Sequence, residues 1–89
     1  MSDLHQQIAL VTGGGRGIGR AIAIAFARAG ADVALAARSA DQIDRTAAEI
    51  ETLGRKAIAI VTDVTDPDQV QGLAESVQET FGRLDILVN

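Results

Sequence analysis

Four short segments of the chain are mostly apolar and lack the two-residue alternation of a half-exposed strand: residues 7–11, 31–37, 57–61 and 84–89. Apolar runs of this length, bounded by glycine and polar residues, are typical of parallel strands that are buried on both faces. We therefore expect four strands, the third lying within residues 56–63 and the fourth beginning at Leu84.

Between these runs, apolar side chains recur every three or four residues, which is the spacing of an amphipathic helix. In the first helix, predicted over residues 17–29 and ended by Gly30, the residues expected to face the sheet are Ile18, Ala21, Ile22, Ala25, Phe26 and Ala29. In the second helix, which Gly54 ends, they are Ile43, Ala47 and Ile50. In the third, which Gly82 ends, they are Val70, Leu73, Ala74, Val77 and Phe81.

Two of the helix starts have recognisable capping residues. Ser39 and Gln42 form the S-x-x-Q pattern of a capping box, and Asp66 followed by Pro67 is the preferred order of an N-cap and a first helical residue. The predicted order is therefore β-α-β-α-β-α-β, an α/β fold with a doubly wound, Rossmann-like parallel sheet. Such a fold is built from two βαβαβ halves, so we expect a chain that is truncated after the fourth strand.

The composition narrows the class of protein. A net charge of −4 and the absence of Trp and Tyr argue against a nucleic-acid-binding surface. The chain has no cysteine and one histidine, His5, so we expect neither a disulfide nor a metal site. Residues 1–7 lack the features of a signal peptide, and the longest apolar run, residues 21–27, is too short to span a bilayer. We therefore expect a cytoplasmic chain without a membrane or nucleic-acid partner.

A glycine-rich stretch, Thr-Gly-Gly-Gly-Arg-Gly-Ile-Gly at residues 12–19, joins the first strand to the first helix. Glycine permits positive φ and close approach of a ligand to the backbone, and a helix N-terminus favours an anion, so this turn is predicted to bind phosphate. The G-x-G-x-x-G fingerprint fits in no register. A P-loop fits only in its glycines, because Arg20 and Ala21 occupy the positions of its Lys and Ser/Thr. A tight turn without a ligand is the alternative interpretation.

The stretch resembles the Thr-Gly-x-x-x-Gly-x-Gly motif of the short-chain dehydrogenase/reductase family, whose members include 3-oxoacyl-carrier-protein reductases and sugar and steroid dehydrogenases. The residues for which this resemblance implies cofactor binding are Thr12, Gly13, Gly15, Arg16, Gly17, Ile18 and Gly19. Asp63-Val64 resembles the family's Asp-Val pair at the adenine, and Asn89 resembles the first residue of its Asn-Asn-Ala-Gly motif. The resemblance implies a nicotinamide dinucleotide partner, a homo-oligomer when the protein is intact, and one incomplete dinucleotide-binding region over residues 1–89.

The choice of cofactor is predicted from the end of the second strand, where dinucleotide folds contact the adenine ribose with an acidic residue for NAD or an arginine for NADP. That position is Arg38, whereas Asp32 lies at the beginning of the strand and Asp41 lies in the next helix. Arg16, inside the glycine-rich stretch, is a second candidate to reach the same 2′-phosphate. Ser39 is a candidate both to bond that phosphate and to cap the helix. We therefore predict that NADP is preferred over NAD; two solvated surface arginines are the alternative.

The family's proton-transfer residues, a Ser and a Tyr-x-x-x-Lys motif, are not recognisable in the 89 residues. The chain has no Tyr, and its only lysine, Lys56, precedes the third strand, so no catalytic residue is predicted within it. The resemblance implies that the intact protein interconverts a ketone and a secondary alcohol by hydride transfer, with residues beyond Asn89 acting on the carbonyl or alcohol substrate. Two alternatives remain: a non-catalytic nucleotide-binding half-domain that self-associates, and a fragment that is unstable alone.

Overall fold

The computed structural model describes residues 4–89 as an alternation of four strands and three helices. The elements are β1 (Ile8–Thr12), α1 (Gly17–Arg28), β2 (Asp32–Ala37), α2 (Ala40–Thr52), β3 (Ala57–Val61), α3 (Pro67–Phe81) and β4 (Ile86–Val88). The predicted order of elements is confirmed, and each element begins within two residues of its expected position. Residues 1–3, part of the segment in which no signal peptide is expected, lie outside the described residues.

All four strands are parallel and form one sheet in the order β3-β2-β1-β4. β1 pairs with β2 over its whole length, so that Thr12 at its end lies opposite Ala36. After β3 the chain crosses the sheet and places β4 on the far side of β1, where Val88 lies opposite Val11. Open α/β sheets bind ligands in the crevice at the carboxyl ends of their strands, where the direction of winding reverses. This is the doubly wound, Rossmann-like fold that the sequence predicts, with its reversal between β1 and β4.

Helices cover both faces of the sheet. On one face, α1 and α2 pack against alternate strand residues, and this larger core consists of Val11, Ala23, Ile24, Ala27, Val33, Leu35, Ile43, Ala47 and Ile50. On the other face, α3 contributes Leu73 and Val77 to a smaller core that also contains Leu10, Ala34 and Ala36. Because β2 is covered on both sides, its residues 33–36 are fully buried, which explains its almost unbroken apolar sequence.

The face that α1 buries differs from the predicted one. Its buried residues are Ala23, Ile24 and Ala27. Ile18, which its spacing placed on the buried face, is 79% exposed. Residues 21–27 are apolar on every side of the helix, so spacing alone does not select a face. The buried face is instead determined at the start of α1, where Gly19 packs closely against the backbone of the glycine turn. Ala23 and Ala27 follow Gly19 at four-residue intervals and therefore lie on the same face.

The other two helices follow their predictions to different extents. The residues predicted to be buried in α2 are confirmed; they are Ile43, Ala47 and Ile50. In α3 the prediction is confirmed for Leu73 and Val77, but it is wrong for Val70, which is 40% exposed, and for Ala74, which is also exposed. Val70, Ala74 and Leu87 line an open apolar groove of about 530 Å³ between α3 and β4. The buried strip of α3 is therefore narrower than its apolar strip.

The helices begin and end within one residue of their predicted positions. Ser39 Oγ accepts a hydrogen bond from the Gln42 N–H at 3.4 Å, and the Asp66 side chain accepts one from the Asp68 N–H at 3.0 Å. Gly82 ends α3 in the left-handed conformation, with φ of 76°. The longest of the three helices has 15 residues. Between residues 4 and 89, no helix has both the length and the apolar character required to cross a bilayer.

Candidate cofactor-binding site

The glycine turn, residues 12–19, connects the carboxyl end of β1 to the first turn of α1. Gly13 and Gly17 have positive φ values of 70° and 58°, which residues with a Cβ rarely adopt. The Gly13 N–H donates a hydrogen bond to the Ala36 carbonyl oxygen at 2.7 Å, which anchors the turn to the neighbouring strand β2. The turn therefore lies at the carboxyl ends of β1 and β2, beside the reversal of the strand order between β1 and β4.

The amino end of α1 is suited to an anion. Arg16 is the N-cap residue; its backbone is extended and its side chain makes no capping hydrogen bond. The first turn of the helix contains no acidic residue. The first N–H groups of a helix have no intrahelical partner, and the helix dipole adds positive potential at the same end. The start of α1 thus presents backbone donors and positive potential of the kind that binds phosphate.

Close packing constrains two further glycines of the turn. A Cβ added to Gly19 would lie 2.1 Å from the Gly13 carbonyl oxygen, and one added to Gly14 would lie 2.6 Å from Leu35 Cδ2. The first neighbour is backbone and the second is a fully buried side chain, so neither can move aside easily. At Gly13 and Gly17, by contrast, an added Cβ would meet no atom within 4 Å. Space beside the backbone is therefore available to a ligand at these two positions.

A cleft of about 360 Å³ lies between the glycine turn and the end of β2. The predicted site residues that line it are Gly13, Gly15, Arg16, Arg38 and Ser39. Ala37 and Gln42 complete the lining and are not among the predicted residues. The structure thus brings both arginines that were expected to contact a phosphate to the same cleft.

A second cleft, of about 340 Å³, adjoins the first at the carboxyl ends of the strands. The predicted residues in its lining are Thr12, Gly13, Arg38, Val64 and Asn89. The remaining residues of the lining are Ala36, Ala37 and Thr62. Four predicted residues line neither cleft: Gly17, Ile18, Gly19 and Asp63. The first three form the first turn of α1, with the Ile18 side chain exposed, and Asp63 lies in the segment after β3.

Asp63, which follows β3, faces Arg38. Its Oδ1 atom lies 3.9 Å from Arg38 Nε. The same oxygen accepts hydrogen bonds from the Thr65 hydroxyl at 2.7 Å and from the Thr65 N–H at 2.9 Å. These two bonds, with a smaller contribution from the charge of Arg38, lower the pKa of Asp63 below its ordinary value. The Asp63 carboxylate is therefore negatively charged at neutral pH.

The carboxyl ends of β1 and β4 meet at Thr12. The Thr12 hydroxyl donates a hydrogen bond to the Val88 carbonyl oxygen at 3.2 Å and lies 3.5 Å from Asn89 Oδ1. Asn89 is thereby placed beside the glycine turn, at the reversal of the strand order. Across the described residues 4–89, no group of three or more His, Cys, Asp or Glu side chains is arranged to hold a metal ion.

Gln42 is the candidate site residue that the sequence interpretation missed. It lines the first cleft, and a Cβ added to Gly15 would lie 2.7 Å from Gln42 Cβ, so α2 and the glycine turn are in close contact at this point. Its place in a capping box explained its identity without reference to a ligand. The one available signal was its position a helical turn after Ser39, on a helix that begins at the predicted phosphate site.

The site fits a dinucleotide. The glycine turn offers open backbone positions for a pyrophosphate, and the two clefts extend from it to the ends of β2 and β3. Arg38 and Ser39 occupy the position at which such folds contact the adenosine ribose. A parallel sheet in this order, with a glycine turn between its first strand and first helix, defines a Rossmann-type nucleotide-binding protein.

Comparison with known sequences gives the family. The sequence model described as short chain dehydrogenase matches residues 7–89. The chain therefore belongs to the short-chain dehydrogenase/reductase family, a family of oxidoreductases that bind a nicotinamide dinucleotide, as its sequence motifs predicted.

The similar proteins are much longer than this chain. An uncharacterized oxidoreductase of Mycobacterium tuberculosis is 45% identical over 89 residues, which are 100% of this chain and 34% of that protein. A hydroxysteroid dehydrogenase from Escherichia coli superposes with a TM-score of 0.93 at 41% identity, covering 97% of this chain and 37% of that one. The L-sorbose reductase from Gluconobacter frateurii, solved with NADPH and L-sorbose, gives a TM-score of 0.91 at 40% identity, covering 96% and 33%. The chain thus spans about a third of the length of these relatives.

Proposed function

We propose that this chain is the cofactor-binding part of an NADP-preferring short-chain oxidoreductase, and that residues 1–89 form a single dinucleotide-binding region. The activity proposed for the whole protein is the interconversion of a ketone and a secondary alcohol by hydride transfer. The observation that supports the cofactor preference is the position of Arg38, whose side chain is 78% exposed and lines both clefts beside the glycine turn.

The pyrophosphate is assigned to the glycine turn and the start of α1. Backbone N–H groups at this helix start have no intrahelical partner, and the positive φ angles of Gly13 and Gly17 leave space beside the backbone. Arg16 lines the same cleft and adds a positive charge. This arrangement binds the part of the cofactor that NAD and NADP share, so it does not select between them.

Selection is assigned to Arg38 and Ser39, which follow β2. A guanidinium and a hydroxyl there are donors to a 2′-phosphate, whereas an NAD-selective site needs an acceptor for the ribose 2′-OH. Hydrogen bonds to charged groups contribute about 1.5–3 kcal/mol, which corresponds to a preference of roughly ten- to a hundredfold. Because Arg38 is largely exposed, solvent screening favours the lower end of that range.

The one carboxylate within β2 is located away from the ribose position. Asp32 begins β2, at the opposite end of the strand from Arg38. Its Oδ1 atom accepts hydrogen bonds from Arg55 Nε at 3.1 Å and from the Lys56 N–H at 2.9 Å. Asp32 therefore joins β2 to the segment before β3 and is not available to accept from a ribose hydroxyl.

The adenine is assigned to the second cleft, whose lining includes Val64. Asp63, the residue before Val64, is assigned to accept a hydrogen bond from the adenine at the edge of that cleft. Asn89, beside Thr12, is assigned to the ribose side of the cofactor near the reversal of the strand order. When bound, the nicotinamide supplies or accepts the hydride; the residues described here bind and orient the cofactor. The single lysine, Lys56, lies over the Phe81 ring at 5.4 Å, before β3 and away from both clefts. Proton transfer to the substrate is thus assigned to residues that this chain does not contain.

One of the similar structures supports the cofactor assignment. The L-sorbose reductase was solved with NADPH, and it shares 40% of the residues aligned with this chain. The substrate class proposed here, carbonyl compounds and their alcohols, follows from the family to which the chain belongs.

The test is a titration of the protein with NADPH and NADH, followed by cofactor fluorescence or calorimetry. We expect NADPH to bind about tenfold or more tightly than NADH, and Arg38→Ala to reduce that ratio toward one. Arg28→Ala is the matched control, because Arg28 is an exposed arginine in the last turn of α1, at the other end of the helix from the cleft. Equal affinities in the unmodified protein, or a ratio that Arg38→Ala leaves unchanged, would exclude the proposed preference.

A further inference from the structure

Arg38 and Asp63 belong to adjacent strand ends. β2 and β3 are paired in parallel, with Ala37 opposite Val61, so the residues that follow these strands leave the sheet side by side. The closest approach of the two charged groups is 3.9 Å, between Arg38 Nε and Asp63 Oδ1. Among residues 4–89, Asp63 is the one carboxylate within ion-pair distance of Arg38.

Asp63 is held in place independently of Arg38. Its Oδ1 atom accepts two hydrogen bonds from Thr65, and its own N–H donates to Gln69 Oε1 at 2.7 Å. Gln69 Nε2 in turn donates to Asp66 Oδ2 at 3.2 Å, which connects this turn to the N-cap of α3. Asp63 is therefore a fixed negative charge, while Arg38, with a side chain that is 78% exposed, is the mobile partner.

We infer that Asp63 sets the strength of the cofactor preference by acting through Arg38. Its carboxylate offsets part of the positive potential of the guanidinium that a 2′-phosphate needs, and it attracts the Arg38 side chain toward β3. This inference rests on the proposed function, since it concerns the same 2′-phosphate position. It assigns Asp63 a role that is separate from contact with the adenine, because an adenine contact is common to NADP and NAD.

The physical basis is competition between two anions for one guanidinium. An exposed ion pair has an interaction free energy that corresponds to roughly a 1.5- to fivefold effect on an equilibrium constant. Removal of the Asp63 charge is therefore expected to increase the ratio of NADPH to NADH affinity by about two- to fivefold. Because both groups are exposed, salt screens their interaction, and the increase should become smaller at high ionic strength.

The experiment is a double-mutant cycle of Asp63→Asn and Arg38→Ala, in which NADPH and NADH affinities are measured by titration at low and high salt. Asparagine keeps the size of the side chain and the Oδ1 acceptor for Thr65, and it removes the charge. The affinity for NADH reports any change in the adenine contact, so the ratio isolates the 2′-phosphate. Asp66→Asn is the matched control, because it removes one negative charge three residues away and retains an N-cap side chain.

The expected result is that Asp63→Asn increases the affinity ratio and Asp66→Asn does not, and that the increase disappears when Arg38 is alanine. An unchanged ratio in Asp63→Asn would overturn the inference, and so would an increase that persists without Arg38. If Asp63→Asn does not give a cooperative melt, Asp63→Ser is the second charge-removing variant, judged by the same ratio. If the unmodified protein binds both cofactors equally but Asp63→Asn favours NADPH, the proposed preference fails and this inference remains.

Discussion

The Gly13 backbone packs directly against Gly19 and fills the space that a side chain on Gly19 would need. A Cβ on Gly19 would lie 2.1 Å from the Gly13 carbonyl oxygen and 2.8 Å from its carbonyl carbon. The first turn of α1 is therefore fitted directly onto the backbone of the turn that follows β1. This contact fixes both the position of the helix N-terminus and the direction in which the helix faces the sheet.

Gly19→Ala is expected to disrupt this contact. The methyl group overlaps backbone atoms that cannot rotate away, so we expect a loss of about 1–3 kcal/mol in the free energy of unfolding, or more, with weaker dinucleotide binding. Gly72→Ala is the control, because Gly72 lies within α3 and its added Cβ meets no atom within 4 Å. That change should stabilise the protein by about 0.5–1 kcal/mol through helix propensity. Urea denaturation measures both; equal stability of the two variants would contradict the packing argument.

Substitutions of Ser39 separate its two assigned roles. Ser39→Ala removes the N-cap oxygen of α2 and should cost about 0.5–2 kcal/mol of stability. Ser39→Asp keeps a good N-cap, so stability should be retained, but its charge repels a 2′-phosphate and should weaken NADPH binding about tenfold or more. NADH binding should not weaken, since a carboxylate accepts from a ribose hydroxyl. If Ser39→Asp binds NADPH as tightly as the unmodified protein does, Ser39 does not contact the phosphate.

Thr12 joins β1 to β4 through its hydroxyl, which donates to the Val88 carbonyl oxygen at 3.2 Å. Thr12→Val keeps the shape of the side chain and removes the donor, so we expect a loss of about 0.5–1.5 kcal/mol in the free energy of unfolding. Thr12→Ser retains the hydroxyl and should lose less. Chemical denaturation distinguishes the two; a valine variant that is more stable than the serine variant would show that the methyl group, and not the hydrogen bond, is important here.

Asp85 links β4 to β1, and its contacts predict how the stability of the fold changes at acid pH. Its Oδ2 atom accepts from the Ile8 N–H at 2.8 Å, and its Oδ1 atom accepts from Arg83 Nη2 at 2.6 Å. The bond from Arg83, then that from Ile8, lower the pKa of Asp85 below its ordinary value of 3.8. A lowered folded-state pKa means that this stabilisation is complete above the ordinary value and is lost as the pH falls through the folded-state value.

The corresponding measurement is the urea midpoint between pH 7 and pH 2. Asp85→Asn should be less stable than the unmodified protein at pH 7 and should lose less stability below pH 4, because it has no carboxylate to protonate there. Arg83→Gln removes the larger cause of the pKa shift, so its behaviour should be intermediate. Parallel curves for all three proteins would show that Asp85 does not contribute to acid sensitivity.

The fold was predictable from the sequence because its strands and helices have distinct patterns. Strand β3 was predicted within residues 56–63, and the structure places it at the apolar run of that segment, residues 57–61. The buried face of α1 was not predictable, because the segment 21–27 is apolar all round and the choice depends on Gly19 against Gly13. The exposure of Val70 has a similar origin, since it depends on what lies beside α3 and not on the helix's own sequence.

The individual residues of the site were largely predictable from the sequence, but the contacts between them were not. Arg16, Arg38 and Ser39 were identified from their positions at element ends, and the structure places them in one cleft. The approach of Asp63 to Arg38 depends on β2 and β3 being parallel neighbours, and their spacing of 25 residues in sequence gives no direct signal of it. Gln42 was missed because its capping position already explained it.

The hydrogen bond from the Gly13 N–H to the Ala36 carbonyl oxygen joins the glycine turn rigidly to the end of β2. The place assigned to the pyrophosphate and the place assigned to the ribose are therefore set at a fixed separation before any cofactor arrives, which reduces the ordering required on binding. Residues 38 and 39 lie just beyond this bond and take no part in it. Substitution of those two side chains can therefore change which cofactor is preferred without disturbing the turn that holds the pyrophosphate of either one. Cofactor preference and pyrophosphate binding can thus evolve separately in this fold.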